Sequence, residues 1–199
     1  MINSYQEFKK FLNEEIKFKE KKPSLLLHTC CAPCSSHTIL VLKEYFDITI
    51  FYSNDNIFPY EEYNYRLKEQ IRFAENFNIK VVEDKYDHSL FENAIKGKEE
   101  LGEKSIRCFE CYKERLLKTV KLAKKEGFEY FTTSLSISPY KISRWINEIG
   151  YELEKEYEVK FLYSDFKKEE GYKDSIKLSK EYNLYRQDYC GCEYSKVGK

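Results

Sequence analysis

No run of about 18 apolar residues occurs in the 199-residue sequence, which disfavours a membrane-spanning helix. The N-terminus is polar and acidic, without the basic-then-apolar order of a secretory leader, so export is disfavoured too. A cytosolic protein with no membrane partner is expected. Net charge is also missing: Lys plus Arg and Asp plus Glu both number 34. That leaves no global positive field to announce a nucleic-acid partner, and any RNA contact has to come from a local patch. There is no glycine-rich phosphate cradle, which argues against nucleotide hydrolysis. Internal repeats and low-complexity segments are absent, and only Lys17 to Lys22 resembles a charged linker.

What is present is cysteine. Seven occur, in three clusters near the beginning, middle and end of the chain: Cys30-Cys31-Ala-Pro-Cys34, Cys108-Phe-Glu-Cys111 and Cys190-Gly-Cys192. Their share is far below the roughly 8–10% of a disulfide scaffold, and an odd number cannot all pair. In a reducing compartment, metal ligation or redox catalysis explains such clusters better than structural disulfides. With 42% apolar residues the chain can bury one substantial core, so residues 1–199 are expected to form a single domain.

Apolar periodicity predicts alternating helices and strands. Tyr5, Phe8, Leu12 and Ile16 mark an N-terminal helix within residues 1–22, and Ser24 to His28 reads as a buried strand. A helix over Thr38 to Tyr45 leads to a strand at Ile48 to Tyr52. Pro59 opens a helix through Ala74, and a third strand follows at Ile79 to Val82. Leu90 to Ile95 is a short helix, and the second cysteine cluster begins a longer one that Gly127 stops. Tyr130 to Ser134 gives a fourth strand, and Ser138-Pro139 reads as a helix start because Ser can cap free amides while Pro needs none. Val159 to Tyr163 is the fifth strand and Ile176 to Tyr182 the last helix. The alternation predicts an α/β, doubly wound, five-stranded parallel sheet with helices on both faces. With strand order 3-2-1-4-5, Cys30 and Cys31 would lie beside Thr132-Thr133-Ser134 at the switch point, where ligands collect.

Cys31/Cys34 and Cys108/Cys111 share the Cys-x-x-Cys spacing that can place two sulfurs on one metal or cluster while leaving amides free to bond the thiolates. Structural zinc is the competing use, but a closed zinc site needs four ligands and leaves three thiols over. A radical S-adenosylmethionine pattern would require cysteine where His37 stands, which rejects that class. Gly191 permits a tight backbone between Cys190 and Cys192. Such a small ring is easily reduced, so the pair suits a redox couple or a second metal. His28, His37 and His88 lack partners at a persuasive spacing, and the Lys121, Lys124, Lys125 stripe is most simply a solvated face.

Six segments carry a resemblance. They are Leu-Leu-His-Thr-Cys-Cys-Ala-Pro-Cys-Ser from Leu26, Asn-Ile-Phe-Pro from Asn56, Arg-Cys-Phe-Glu-Cys-Tyr from Arg107, Phe-Thr-Thr-Ser-Leu from Phe131, Ser-Pro-Tyr-Lys from Ser138, and Tyr-Arg-Gln-Asp-Tyr-Cys-Gly-Cys-Glu-Tyr-Ser from Tyr185. Together they resemble the cobalamin-independent, QueH-type epoxyqueuosine reductases over about residues 24–195. The resemblance implies a sheet like that of the adenine-nucleotide α-hydrolases. It also implies reduction of epoxyqueuosine to queuosine at the tRNA wobble position, with an unidentified electron donor. Carried over by motif, Cys30, Cys31, Cys108 and Cys111 would hold a 4Fe-4S cluster, and Cys190 and Cys192 would be the redox-active pair. Cys34 would replace one cluster ligand or join Cys190 and Cys192 around a second iron. Arg107, Tyr140, Lys141, Arg186 and Gln187 adjoin these motifs and are candidates for binding the anticodon loop. A zinc-stabilised RNA-binding module and a thiol-disulfide oxidoreductase acting on proteins are the alternatives.

Overall fold

The computed structural model describes residue 2 and residues 4–195; the expected domain of residues 1–199 also takes in residues 1, 3 and 196–199, which lie outside the described ones. Helix α1, Tyr5–Phe11, is capped by Ser4, whose hydroxyl accepts a bond from the Glu7 amide at 3.2 Å. The helix does not run on evenly through the expected region: it widens into a π-turn at Leu12–Ile16. Strand β1 (Ser24–Thr29), helix α2 (Ala32–Leu42), strand β2 (Asp47–Tyr52), helix α3 (Tyr60–Glu75) and strand β3 (Lys80–Glu83) follow. Next come helices α4 (His88–Ile95) and α5 (Ile106–Glu126), strand β4 (Tyr130–Thr133), helix α6 (Ser143–Tyr157), strand β5 (Lys160–Phe161) and helix α7 (Gly171–Glu181).

All five strands are parallel, in the expected order β3-β2-β1-β4-β5. Strand β1 is central, and its side chains alternate between two cores. Leu25 and Leu27 face one that also holds Phe8, Ile39, Phe73 and Phe166; Leu26 faces the other, with Leu116, Val120, Ile146 and Ile149. Helices α5 and α6 therefore cover one face, and α1, α2 and α3 the other, with α7 packed on α2. His28 of β1 sits opposite Thr133 of β4, so the loops after these strands emerge side by side where the strand order reverses.

Two expectations are corrected. Helix α6 begins at Ser143, not at Ser138-Pro139. Ser138 instead closes a turn, accepting bonds from the Lys141 amide at its carbonyl (3.1 Å) and from the Tyr140 amide at its hydroxyl (3.3 Å). Strand β5 is only Lys160–Phe161 rather than Val159 to Tyr163. Leu162 still donates to the Phe131 carbonyl, but the Ser164 amide donates to Asn147 Oδ1, so side chains take the chain away from the sheet. Helix α5 does end at Gly127, at φ 76°, a left-handed cap that glycine adopts without a Cβ penalty. Among the described residues no helix is long and apolar enough to cross a membrane.

Candidate metal and substrate site

The cysteines of the first two clusters occupy helix N-termini. Cys31 is the N-cap residue of α2 and Cys34 lies in its first turn, while Cys108 and Cys111 lie in the opening turns of α5. Unpaired amides and the positive end of the helix dipole suit metal-bound thiolates there, although burial raises the free thiols of Cys31 and Cys111, and hydrogen bonds raise that of Cys34. The sulfurs of Cys30, Cys31 and Cys34 all lie within 4.8 Å of one another, and that of Cys30 is 3.8 Å from that of Cys31. Hydrogen bonds from Cys31 and Cys34 hold the Cys30 thiol well below its ordinary range, against the cost of burial. Burial and the bond to Cys30 push Cys31 up to about 12, and bonds to Cys30 and Cys31 push Cys34 well above its ordinary value. Within the trio, negative charge is thus favoured on Cys30 over Cys31 and Cys34.

Neither Cys108 nor Cys111 lies within that same distance of all three sulfurs. Cys108 packs against the core that includes Cys30 and Cys31, while Cys111 and Cys192 share a small apolar cluster with Phe91 and Ile95. Burial raises Cys111 to about 12 and Cys192 to about 11. Cys190 points elsewhere. It accepts a hydrogen bond from Lys141 Nζ at 2.8 Å, and although burial opposes it, the Lys141 charge holds its thiol below the ordinary value. Gly191, at φ 110°, turns the chain between the two cysteines; its carbonyl accepts from the Phe58 amide at 2.9 Å.

A cavity of about 370 Å³ opens between the loops after β1 and β4, and Cys30, Cys34, Cys190, Lys141, Gln187 and Arg186 line it. That volume lies within the range of small-molecule sites. Gln187 donates to Cys31 Sγ at 2.9 Å, Tyr140 stands 60% exposed, and Arg186 lies over the Tyr172 ring at 5.3 Å. Arg107 is the anticodon-loop candidate that does not line the cavity: it is buried, donates to the Glu99 carbonyl at 2.7 Å and lies over the Tyr194 ring.

Two arginines that sequence reasoning did not single out are nearly inaccessible: Arg66 is 1% exposed and Arg115 2%. Arg66 pairs with Glu62, donates to the Cys190 carbonyl at 3.2 Å and lies over the Tyr189 ring. Arg115 donates to Asn54 Oδ1, to His28 Nε2 at 3.3 Å and to Cys111 Sγ at 4.0 Å. Its position four residues after Cys111, on the same helix face, was the available signal. His28 is wholly buried at the end of β1; burial, helped by Arg115, lowers it to about 3, so it stays neutral.

These residues fit a metal-sulfur group. Three convergent thiols at a helix N-terminus form a soft donor set. Around the cysteines, Arg66 Nη2, Gln187 Oε1 and the Tyr112 hydroxyl are buried without hydrogen-bond partners among the described residues. Native interiors rarely leave such atoms unsatisfied.

Residues 25–198 match the family model described as epoxyqueuosine reductase QueH. The protein of that name from Staphylococcus aureus is 38% identical over 218 residues, covering 99% of this chain and 91% of that protein. The Streptococcus pyogenes protein is 42% identical (87% and 71% covered), and that of Thermotoga maritima 37% (86% and 90%). Among solved structures, a predicted subunit of a tRNA methyltransferase from Methanocaldococcus jannaschii superimposes with a TM-score of 0.52 at 17% identity, covering 79% of this chain and 75% of that one. That likeness concerns the fold alone.

Proposed function

The chain belongs to the epoxyqueuosine reductase QueH family, and from that premise we propose how its site serves the reaction. The protein is an epoxyqueuosine reductase: it converts epoxyqueuosine in tRNA to queuosine, the last reduction in making that base. It works in the cytosol, where its tRNA substrate is found. The observation that supports the site assignment is that Cys30, Cys34, Cys190, Lys141, Gln187 and Arg186 line one and the same cavity.

The epoxide oxygen leaves as water, which takes two electrons and two protons. The Cys190/Cys192 dithiol can supply both, becoming a disulfide while the carbon–oxygen bonds give way to an alkene. Cys190 is the member that lines the cavity, and Cys192 stands behind it among Phe91 and Ile95. Lys141 keeps Cys190 oriented through its 2.8 Å bond. Restoring the dithiol requires two further electrons from an external donor. Cys30, Cys31, Cys108 and Cys111 would hold the 4Fe-4S cluster, with Cys34, whose sulfur converges on those of Cys30 and Cys31, either replacing one of them or joining Cys190 and Cys192 around a second iron. Such a group, when bound, relays electrons one at a time. A flipped wobble base would enter beside Tyr140, with Arg186 near the mouth and Gln187 deeper, beside Cys31.

The test is anaerobic reconstitution with iron and sulfide, visible and electron paramagnetic resonance spectra before and after dithionite, then turnover of epoxyqueuosine tRNA read by nucleoside mass spectrometry. Broad absorption bleached by dithionite, together with queuosine formation, is expected. A colourless protein with stoichiometric zinc and no conversion would overturn the assignment. Changing both Cys190 and Cys192 to Ser should leave the cluster spectrum intact and abolish turnover.

A further inference from the structure

Among the described residues, no carboxylate forms an ion pair with the Arg115 guanidinium. Arg115 is 2% exposed, lines the cavity, and its hydrogen bonds go to an amide oxygen, a neutral imidazole and a cysteine sulfur. Arginine stays protonated in proteins, and a buried charge left unpaired is costly. Apart from a coulombic interaction with Glu114, the negative charge available to Arg115 is on sulfur. Burial opposes the charged form of Arg115, and the sulfurs of Cys111, Cys30 and Cys190 sustain it when they are deprotonated, as metal ligation requires. Arg66 adds a second buried guanidinium: its Nε is paired with Glu62, but its Nη2 is buried and lacks a partner.

We propose that Arg115 is a positioning residue that sets the reduction potential of the metal-sulfur group at the Cys30, Cys31 and Cys34 site by supplying its buried countercharge. Adding an electron makes such a group more negative, so a fixed cation nearby favours the reduced state. The step is one electron from a low-potential one-electron donor to the oxidised group, with no bond made or broken and no proton required. In a site of low dielectric, one charge in near contact shifts an equilibrium by at least about tenfold. The inference rests on the metal-sulfur reading above.

Wild type, Arg115→Gln and Arg115→Lys are reconstituted, and each is titrated with dithionite through redox dyes while the reduced-cluster resonance is followed. Arg115→Gln is expected to lower the ratio of reduced to oxidised group at fixed potential by about tenfold or more, which is about 59 mV for one electron. Arg115→Lys, which keeps the charge, is expected to stay within about threefold of wild type. Equal potentials for wild type and Arg115→Gln would overturn the proposal, since a merely structural role changes cluster yield or melting temperature but not potential. Where Arg115→Gln does not hold the group, Arg115→Lys decides: a shift as large as tenfold despite the retained charge overturns it. If wild type itself takes up no iron-sulfur group, the metal-sulfur reading has failed, an outcome distinct from a cluster-bearing wild type whose potential ignores Arg115.

Discussion

Gly191→Ala should damage the site through the turn between Cys190 and Cys192. Gly191 holds φ at 110°, where side chains cost about 1–3 kcal/mol. A Cβ built there would lie 3.0 Å from both Arg66 Nη1 and Ile57 Cγ1 and 3.5 Å from Arg66 Cζ. Carbon contacts prefer about 3.5–4.0 Å, so the guanidinium has to move. Loss of backbone freedom in the unfolded chain returns about 0.4–1 kcal/mol. The net cost is about 1–2 kcal/mol, or roughly 2–8 °C of melting temperature for a chain this long. Because Arg66 donates to the Cys190 carbonyl, its displacement also disturbs Cys190. Two controls separate these effects. A Cβ at Gly102 meets nothing within 4 Å, so Gly102→Ala should be silent; Gly127 shares a positive φ, of 76°, but opens onto space, so Gly127→Ala should lower stability without touching turnover. Thermal melts and epoxyqueuosine turnover are the assays. A Gly191→Ala protein that melts no lower than Gly127→Ala and keeps wild-type turnover would refute the reasoning.

Other outcomes follow from the same geometry. Cys34→Ser should reduce bound iron and sulfide as severely as Cys30→Ser or Cys31→Ser, because all three sulfurs converge; normal loading of Cys34→Ser would remove it from the ligand set. Lys141→Met should raise the Cys190 thiol in metal-free protein, since the Lys141 charge is what holds it low against burial. Its thiolate fraction at neutral pH then falls, and alkylation, mapped by mass spectrometry, should move to more alkaline pH; an unchanged profile would mean that Lys141 acts only on substrate. Arg186→Ala and Tyr140→Ala, at the cavity, should raise KM for tRNA several-fold with little change in kcat. Equal losses in kcat and kcat/KM would place them in the chemical step instead.

Much of this was legible in the sequence. Five apolar runs alternating with helical periodicity predicted the parallel sheet, and the cysteine motifs placed the candidate site at the ends of β1 and β4, which are neighbours in it. The Ser138-Pro139 signal misled because a cap residue before proline serves a tight turn as well as a helix, and the two differ only in where Lys141 and Tyr140 bond. Strand β5 came out short because Asn147 captures the Ser164 amide, a tertiary contact with no local signature. Arg66 and Arg115 were missed for a related reason. Arginine is read by default as a surface residue, and only the assembled contacts reveal one that is buried.

The segment from Tyr185 to Ser195 is tied to the rest of the molecule by contacts remote in sequence: Gln187 to Cys31 across 156 residues, and Arg66 to Cys190 across 124. The sheet and the seven helices, by contrast, are spelled out by residue 181. During synthesis the N-terminal parts emerge first, so the cradle at the head of α2 is written before the piece that roofs it. The site is thus built open and roofed last, which defines an interval during biogenesis when its thiols stand without Gln187 or Cys190 above them.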